Sequence, residues 1–268
     1  MQYDPIKFSL GKVFNKKPFL RIIFYKLLDI LLLRTWHIKK AIKKWAKNQN
    51  KNVEILDAGS GFGQYTYYLS SLNKEWNITG VDVKEEQIED CNDFFKKINR
   101  KNTHFEIADL TKYKKPESFD MILSVDVMEH ILEDVEVFKN FYASLKKDGV
   151  LFISTPSDQG GSDAHDHHEG SFIDEHVRNG YSIIDIEEKL KKAGFKNIQS
   201  KYSYGKPGNI SWILSMKYPI EMLNISKLFF LILPVYYIIL FPFCLILNSI
   251  DVNKKHNSGT GLIIKAKK

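Results

Sequence analysis

Between residues 53 and 195, short apolar runs alternate with longer stretches whose apolar residues recur at helical spacing. The runs predict strands at 53–57, 77–82, 104–108, 119–125 and 149–155. Helical patterns fall between them near 64–72, 84–98 and 128–146. Strands that alternate with helices pair in parallel and carry helices on both faces. A further helix, 183–193, stops at Gly194, a residue suited to a helix C-terminus. Residues 196–204 then predict a sixth strand, and 261–267 a short final one. No internal repeat interrupts this order.

Two segments outside the alternation are apolar in a different way. Treated as one helix, residues 19–47 place Leu20, Phe24, Leu27, Leu31, Ile38, Ile42 and Trp45 on one narrow face. Arg21, Lys26, Lys39, Lys40, Lys43, Lys44 and Lys47 lie on the opposing arc, while Arg34 falls near the apolar side. Residues 228–250 contain no charged residue and are long enough to span a bilayer. A single crossing would leave the last strand on the wrong side of the bilayer, away from strand six. Pro234 and Pro242 also interrupt helical hydrogen bonding. The expectation is a broken or hairpin element that enters and returns, with Trp212, Tyr218, Tyr236 and Tyr237 at headgroup level.

Composition sharpens this division. The 268 residues suffice for one α/β domain with additions. The net charge of +7 is uneven: residues 1–50 hold twelve Lys and Arg against Asp4 and Asp29, a net +10, which leaves −3 for the rest. A basic arm of this kind suits an anionic surface, either membrane or nucleic acid. Cys91 and Cys244 stand far apart, which argues against a disulfide framework and fits a reducing cytoplasm. The apolar run 19–36 is interrupted by charges and lacks a small-residue cleavage site, so it does not read as a signal peptide.

Candidate chemistry gathers at the strand ends. The first strand runs into Asp57-Ala58-Gly59-Ser60-Gly61-Phe62-Gly63, a turn whose glycines permit close approach and whose N–H groups could face an anion. Gln64 stands where a dinucleotide loop wants its last glycine, which disfavours a nicotinamide dehydrogenase. Asp82 closes the second strand, Asp109 follows the third, and Ser124-Val125-Asp126-Val127-Met128-Glu129-His130 follows the fourth. In a doubly wound sheet, ligands bind at such carboxyl ends.

This ordered set resembles the class I S-adenosylmethionine (AdoMet) methyltransferases across about residues 50–204. The resemblance implies a doubly wound, mostly parallel seven-stranded sheet whose last strand is antiparallel, with AdoMet as cofactor. It places Gly59, Ser60 and Gly61 at the methionine end and counts Asp57 and Gly63 among the cofactor-binding residues. Asp82 would hold the ribose, Val83 would contact adenine, Asp109 and Leu110 would border its amino group, and Val125 would line the pocket. The stretch from Val127 to Ile131 looks like ubiquinone-biosynthesis O-methyltransferases and their small-molecule relatives. The Asn/Asp-Pro-Pro-aromatic motif of nucleobase N-methyltransferases is absent, so nucleic acid is not the expected acceptor.

Oxygen methylation needs a proton acceptor, and histidine is the usual one near neutral pH. His130, His168 and His176 are the candidates, with Glu129 orienting. His130 reads equally as a residue that packs a helix start. Asp163, His165, Asp166 and His167 place possible metal ligands close together, but they match no metal-dependent pattern clearly, and no metal is expected.

The chain thus divides into a basic helical segment (1–50), an AdoMet-binding core (51–209), a hydrophobic insertion (210–256) and a final strand (257–268). The basic helix reads equally as an interfacial helix or as one packed on the core, and the uncharged run tips the balance towards a membrane. The leading expectation is a methyltransferase on the cytoplasmic leaflet that acts on an amphiphilic acceptor such as a polyprenyl phenol. An RNA methyltransferase and a non-catalytic AdoMet-binding protein are the alternatives.

Overall fold

The computed structural model describes residues 17–49, 52–160 and 177–268. Two helices, α1 (Pro18–Leu31) and α2 (Leu33–Ala46), precede the sheet. The alternating core then runs β1 (Glu54–Ala58), α3 (Gln64–Leu72), β2 (Asn77–Asp82), α4 (Glu85–Lys97), β3 (Thr103–Ile107) and β4 (Phe119–Val125). It continues through a 3-10 turn (Met128–His130), α5 (Asp134–Ser144), β5 (Leu145–Pro156), α6 (Ile183–Lys192) and β6 (Asn197–Ser203). A helical insertion comes next, and β7 (Gly261–Lys267) closes the chain.

The seven strands lie in the order β3-β2-β1-β4-β5-β7-β6. Every pairing is parallel except those of β7, which is antiparallel to both β5 and β6. The strand order reverses between β1 and β4, so their carboxyl ends open a crevice there.

Alternation along each strand sends neighbouring residues to opposite faces. Leu56, Ile122, Leu151 and Ile264 pack with Val137, Phe138 and Phe141 of α5 and Leu190 of α6. Ile55, Met121, Phe152 and Ile263 pack with Ile38, Ile42 and Trp45 of α2 and Leu69 of α3. A smaller cluster joins Tyr25 of α1 to Ile88, Cys91, Phe94 and Phe95 of α4.

The N-terminal segment differs from the single helix expected. Leu32 is extended (φ −91°, ψ 108°) and splits it in two. Ile38, Ile42 and Trp45 are spent on the sheet core, so α2 is a packing helix. Arg21, expected on the solvated arc, is 2% exposed. It pairs with Asp90 at 2.5 Å and donates to the Phe62 carbonyl at 2.7 Å.

The insertion is a helical hairpin. Its first arm comprises α7 (Lys206–Trp212), a π-turn (Ile213–Lys217) and α8 (Tyr218–Ile225). A 3-10 turn (Lys227–Leu231) leads to the return arm, α9 (Leu233–Asn253). Pro219 cannot donate to a preceding carbonyl. The Tyr236 and Tyr237 hydroxyls donate instead to the carbonyls of Leu214 (2.7 Å) and Ser215 (2.8 Å) on the other arm. Pro234 sits in the first turn of α9, and Pro242 lies within that helix without ending it. Gly261 of β7 pairs with Ser203 of β6, so both roots of the hairpin sit at the carboxyl edge of the sheet.

Candidate functional site

The turn after β1 holds Gly59, Gly61 and Gly63 at φ +79°, +51° and +81°. The left-handed region admits glycine without penalty. The three glycines have different neighbours. A Cβ on Gly59 would lie 2.2 Å from Val127 Cγ2, and one on Gly63 would lie 2.9 Å from Phe95. A Cβ on Gly61 would meet nothing closer than Gln87 Oε1 at 3.8 Å. Gly61 therefore borders open space that a ligand can enter.

The backbone N–H groups of Gly59, Ser60, Gly61 and Gly63 are already paired within the protein. Those of Gly59 and Ser60 both donate to Val81 O at 2.9 Å, and that of Gly63 donates to Ser60 O. Gly61 N–H donates to Asp82 Oδ2 at 2.9 Å, and Lys84 N–H donates to Oδ1 at 3.1 Å. Each carboxylate oxygen keeps further lone pairs, so Asp82 can still accept from a diol. Asp57 points beneath the turn. It is 2% exposed and accepts from Thr66 Oγ1 at 2.6 Å. Burial pushes its carboxyl up to about 6.

Val83 and Ile107 are exposed at the ends of β2 and β3 (55% and 53%), where a flat apolar ring would cover them. Asp109 forms a local turn: its Oδ1 accepts from Thr111 N (2.9 Å) and Oγ1 (2.7 Å). These bonds hold its carboxyl below the usual range. Leu110 is buried, and Asn140 Nδ2 donates to the carbonyls of Leu110 and Thr111, fixing this loop. Ser60 Oγ and Gln87 Oε1 are buried without a partner. Unsatisfied buried polar atoms are costly, and a ligand is one way to satisfy them. An open site at Gly61, a diol acceptor at Asp82, two bare apolar side chains and orphaned polar atoms together fit AdoMet.

Val125 ends β4 half-buried, and Asp126 follows at φ +53°. Glu129 is buried and accepts from Thr155 Oγ1 at 3.0 Å. Burial, then the nearby Asp126 charge, pushes its carboxyl up to about 8. Its side chain turns inward to β5, while His130 stands exposed on the same turn. Val177 N–H donates to Glu129 O, and Arg178 donates to the Ile131 carbonyl and pairs with Asp134. His168 and His176, together with Asp163, His165, Asp166 and His167, lie outside the described residues. Among the described residues no cluster of three or more His, Cys, Asp or Glu could hold a metal.

Sequence reasoning missed Arg34 as a site residue. Its Nε lies 2.8 Å from Asp126 Oδ2, and its backbone N–H donates to Tyr204 Oη at 3.1 Å. The available signal was its place on the apolar side of an otherwise segregated helix. Tyr204 gave no such signal.

Residues 49–204 match the family described as Methyltransferase domain. Among curated relatives, the ubiquinone biosynthesis O-methyltransferase of Pelagibacter ubique is 30% identical over 129 residues, 46% of this chain and 52% of that one. The (S)-coclaurine N-methyltransferase of Thalictrum flavum is 31% identical over 99 residues, 37% of this chain and 27% of that one. The matches thus span about half or less of these relatives. Among solved structures, phosphoethanolamine N-methyltransferase 2 of Haemonchus contortus, in complex with AdoMet, aligns with a TM-score of 0.60 at 22% identity. That alignment covers 87% of this chain and 52% of the other. The family match covers most of the alternating core, and the strand order agrees with it: this chain belongs to the methyltransferase-domain family and has the class I AdoMet-dependent methyltransferase fold.

Proposed function

We propose that the protein transfers a methyl group from AdoMet to an amphiphilic small molecule at a membrane surface, and that the methylated atom is oxygen. The observation that carries this reading is the placement of the hairpin. It rises from the carboxyl edge of the sheet, the edge that also bears the Gly61 opening and Asp82. Its outward side is apolar: Ile225, Leu228, Leu231, Val235, Ile238, Ile239, Phe243 and Ile246 are all exposed. Contiguous apolar surface of this kind marks an interaction site. The 21-residue helix α9 contains an 18-residue window with a mean hydropathy of 2.0, long and apolar enough to cross a membrane, though the hairpin returns to its starting edge.

When bound, AdoMet supplies a methyl group already activated on a sulfonium. The chain's work is then to bind and align the acceptor, which is worth on the order of 7–11 kcal/mol at best. Gly61 leaves room for the donor, and Asp82 holds its ribose. His130 at the exposed mouth, with His168 and His176, takes the proton that an oxygen nucleophile must lose. The membrane would be the inner leaflet of the cytoplasmic membrane, with a polyprenyl phenol or another lipid-linked molecule as acceptor.

The decisive experiment incubates the full chain with methyl-labelled AdoMet and total membrane lipid and identifies labelled species by mass. A labelled lipid carrying an O-methyl group is expected. Label confined to water-soluble products, or none, overturns the amphiphilic acceptor. Separately, Ile238→Lys, Ile239→Lys and Phe243→Lys together should release the protein from floated liposomes and leave S-adenosylhomocysteine affinity intact.

A further inference from the structure

A cation and a carboxylate from distant parts of the chain meet at the carboxyl end of β4. Arg34, in the first turn of α2, approaches Asp126 at 2.8 Å. Their side chains are 30% and 31% exposed, so the pair is open on one side. Arg21 makes the contrast clear. It staples α1 to α4 and is only 2% exposed, as a purely structural arginine would be.

The surroundings over-determine this pair. Asp126 and Tyr204 both adopt positive φ, +53° and +54°, and both touch Arg34. A non-glycine residue in that region costs about 1–3 kcal/mol and persists where neighbours hold it, often at functional sites. Asp126 N–H is held by Ser154 O at 2.8 Å. The next residue, Val127, fills the space that a side chain on Gly59 would need, so the pair adjoins the donor turn. Tyr204 stands two residues before α7, so the pair also lies at the root of the hairpin.

We infer that Arg34 and Asp126 form the acceptor subsite and that it binds a hydroxyl group. The inference rests on the methyltransferase reading and deepens it. Guanidinium offers only donors, and carboxylate only acceptors. A ligand that satisfies both must donate and accept from neighbouring positions. A hydroxyl does so through one oxygen: it donates to Asp126 and accepts from Arg34. An ammonium group would face the guanidinium, and a carboxylate or phosphate would face Asp126, so each meets a like charge. With the hairpin at its root, the subsite takes the polar end of an amphiphile whose body lies along apolar surface. Arg34 and Asp126 are thereby specificity residues, distinct from the histidines that handle the proton.

The test uses the full chain in detergent with saturating S-adenosylhomocysteine and titrates 4-butylphenol, butylbenzene and 4-butylaniline by calorimetry. The phenol is expected to bind at least about tenfold tighter than butylbenzene, and tighter than the aniline. Arg34→Met and Asp126→Asn should each shrink the phenol preference to about twofold or less, and Arg34→Lys should retain part of it. S-adenosylhomocysteine affinity, measured alongside, should stay within about twofold in every variant. Equal binding of phenol and butylbenzene to the unaltered protein overturns the subsite, as does a preference that survives Arg34→Met. Loss of S-adenosylhomocysteine binding in the variants also overturns it, because Arg34 would then support the donor site. If the unaltered protein binds S-adenosylhomocysteine but shows no phenol preference, the subsite fails and the methyltransferase reading stands. If it binds no S-adenosylhomocysteine, both fail.

Discussion

Gly59 and Gly61 share one motif and should fail differently when replaced. In Gly59→Ala the new Cβ would overlap Val127 at 2.2 Å, in a backbone conformation that disfavours it. Destabilisation of about 1–3 kcal/mol is expected, with loss of S-adenosylhomocysteine binding. Gly61→Leu meets open space, so the fold should survive with about 1–2 kcal/mol of backbone strain while binding is blocked. Calorimetry beside thermal melts separates the two outcomes. Glu129 gives a pH prediction. Its folded-state value of about 8 lies above its ordinary 4.5, so the folded state binds the extra proton in between. Stability should therefore fall as pH rises from about 4.5 to about 8. Glu129→Gln should flatten that decline in melts recorded at fixed detergent concentration. The acids at the strand ends were legible in the sequence because topology alone puts them at one edge. Their individual partners were not. Whether Asp57 faces a ligand or Thr66, and whether the turn N–H groups are spent on Val81, depends on side-chain and backbone directions that spacing does not encode.

Local periodicity gave most strands and core helices to within a residue, because each is set by its own alternation. The exception is the stretch 128–146, read as one helix, which holds the 3-10 turn, α5 and the first residues of β5, a strand that begins at Leu145 rather than 149. β2, β4, β7 and α3 begin and end where their patterns do. The split of the N-terminal segment was not legible. Residues 19–47 keep helical spacing throughout, and only packing on two different surfaces, α4 for Tyr25 and the sheet for Ile38, makes a bend at Leu32 worthwhile. The hairpin was foreseeable from topology, but its internal repair was not. Pro219 removes one backbone donor beside a π-turn, and Tyr236 and Tyr237 donate to the carbonyls of that turn from the other arm. Tyr236→Phe and Tyr237→Phe should each cost about 1–3 kcal/mol. Hydrogen exchange should quicken in residues 206–225 and stay unchanged in the sheet.

The whole molecule is joined at the hairpin root by a buried polar cluster. His37 Nε2 lies 2.8 Å from Asp251 Oδ1, with both side chains fully buried. Gly208 N–H donates to Asp251 Oδ2 at 3.1 Å, His256 Nε2 approaches the same oxygen at 3.2 Å, and Lys201 Nζ lies 3.2 Å from His37 Nδ1. Burial works against the Asp251 carboxylate, yet the His37 hydrogen bond and its charged neighbours hold it below the usual range. The cluster ties α2, β6, α7 and α9 together. Asp251→Ala should destabilise the protein by about 3–5 kcal/mol, because partners selected for a carboxylate are left buried without one. Chemical denaturation followed by tryptophan fluorescence would measure it.

The reversed direction of the last strand has a kinetic consequence. On the membrane-docked reading proposed above, the chain leaves and rejoins the sheet along one border, so an enzyme seated by that border would present its reaction centre towards the plane it rests on. Encounters with an embedded acceptor then happen by lateral diffusion in two dimensions. Half-saturation would track the mole fraction of acceptor in the lipid phase, and diluting the vesicles at constant mole fraction would leave the velocity of bound enzyme unchanged.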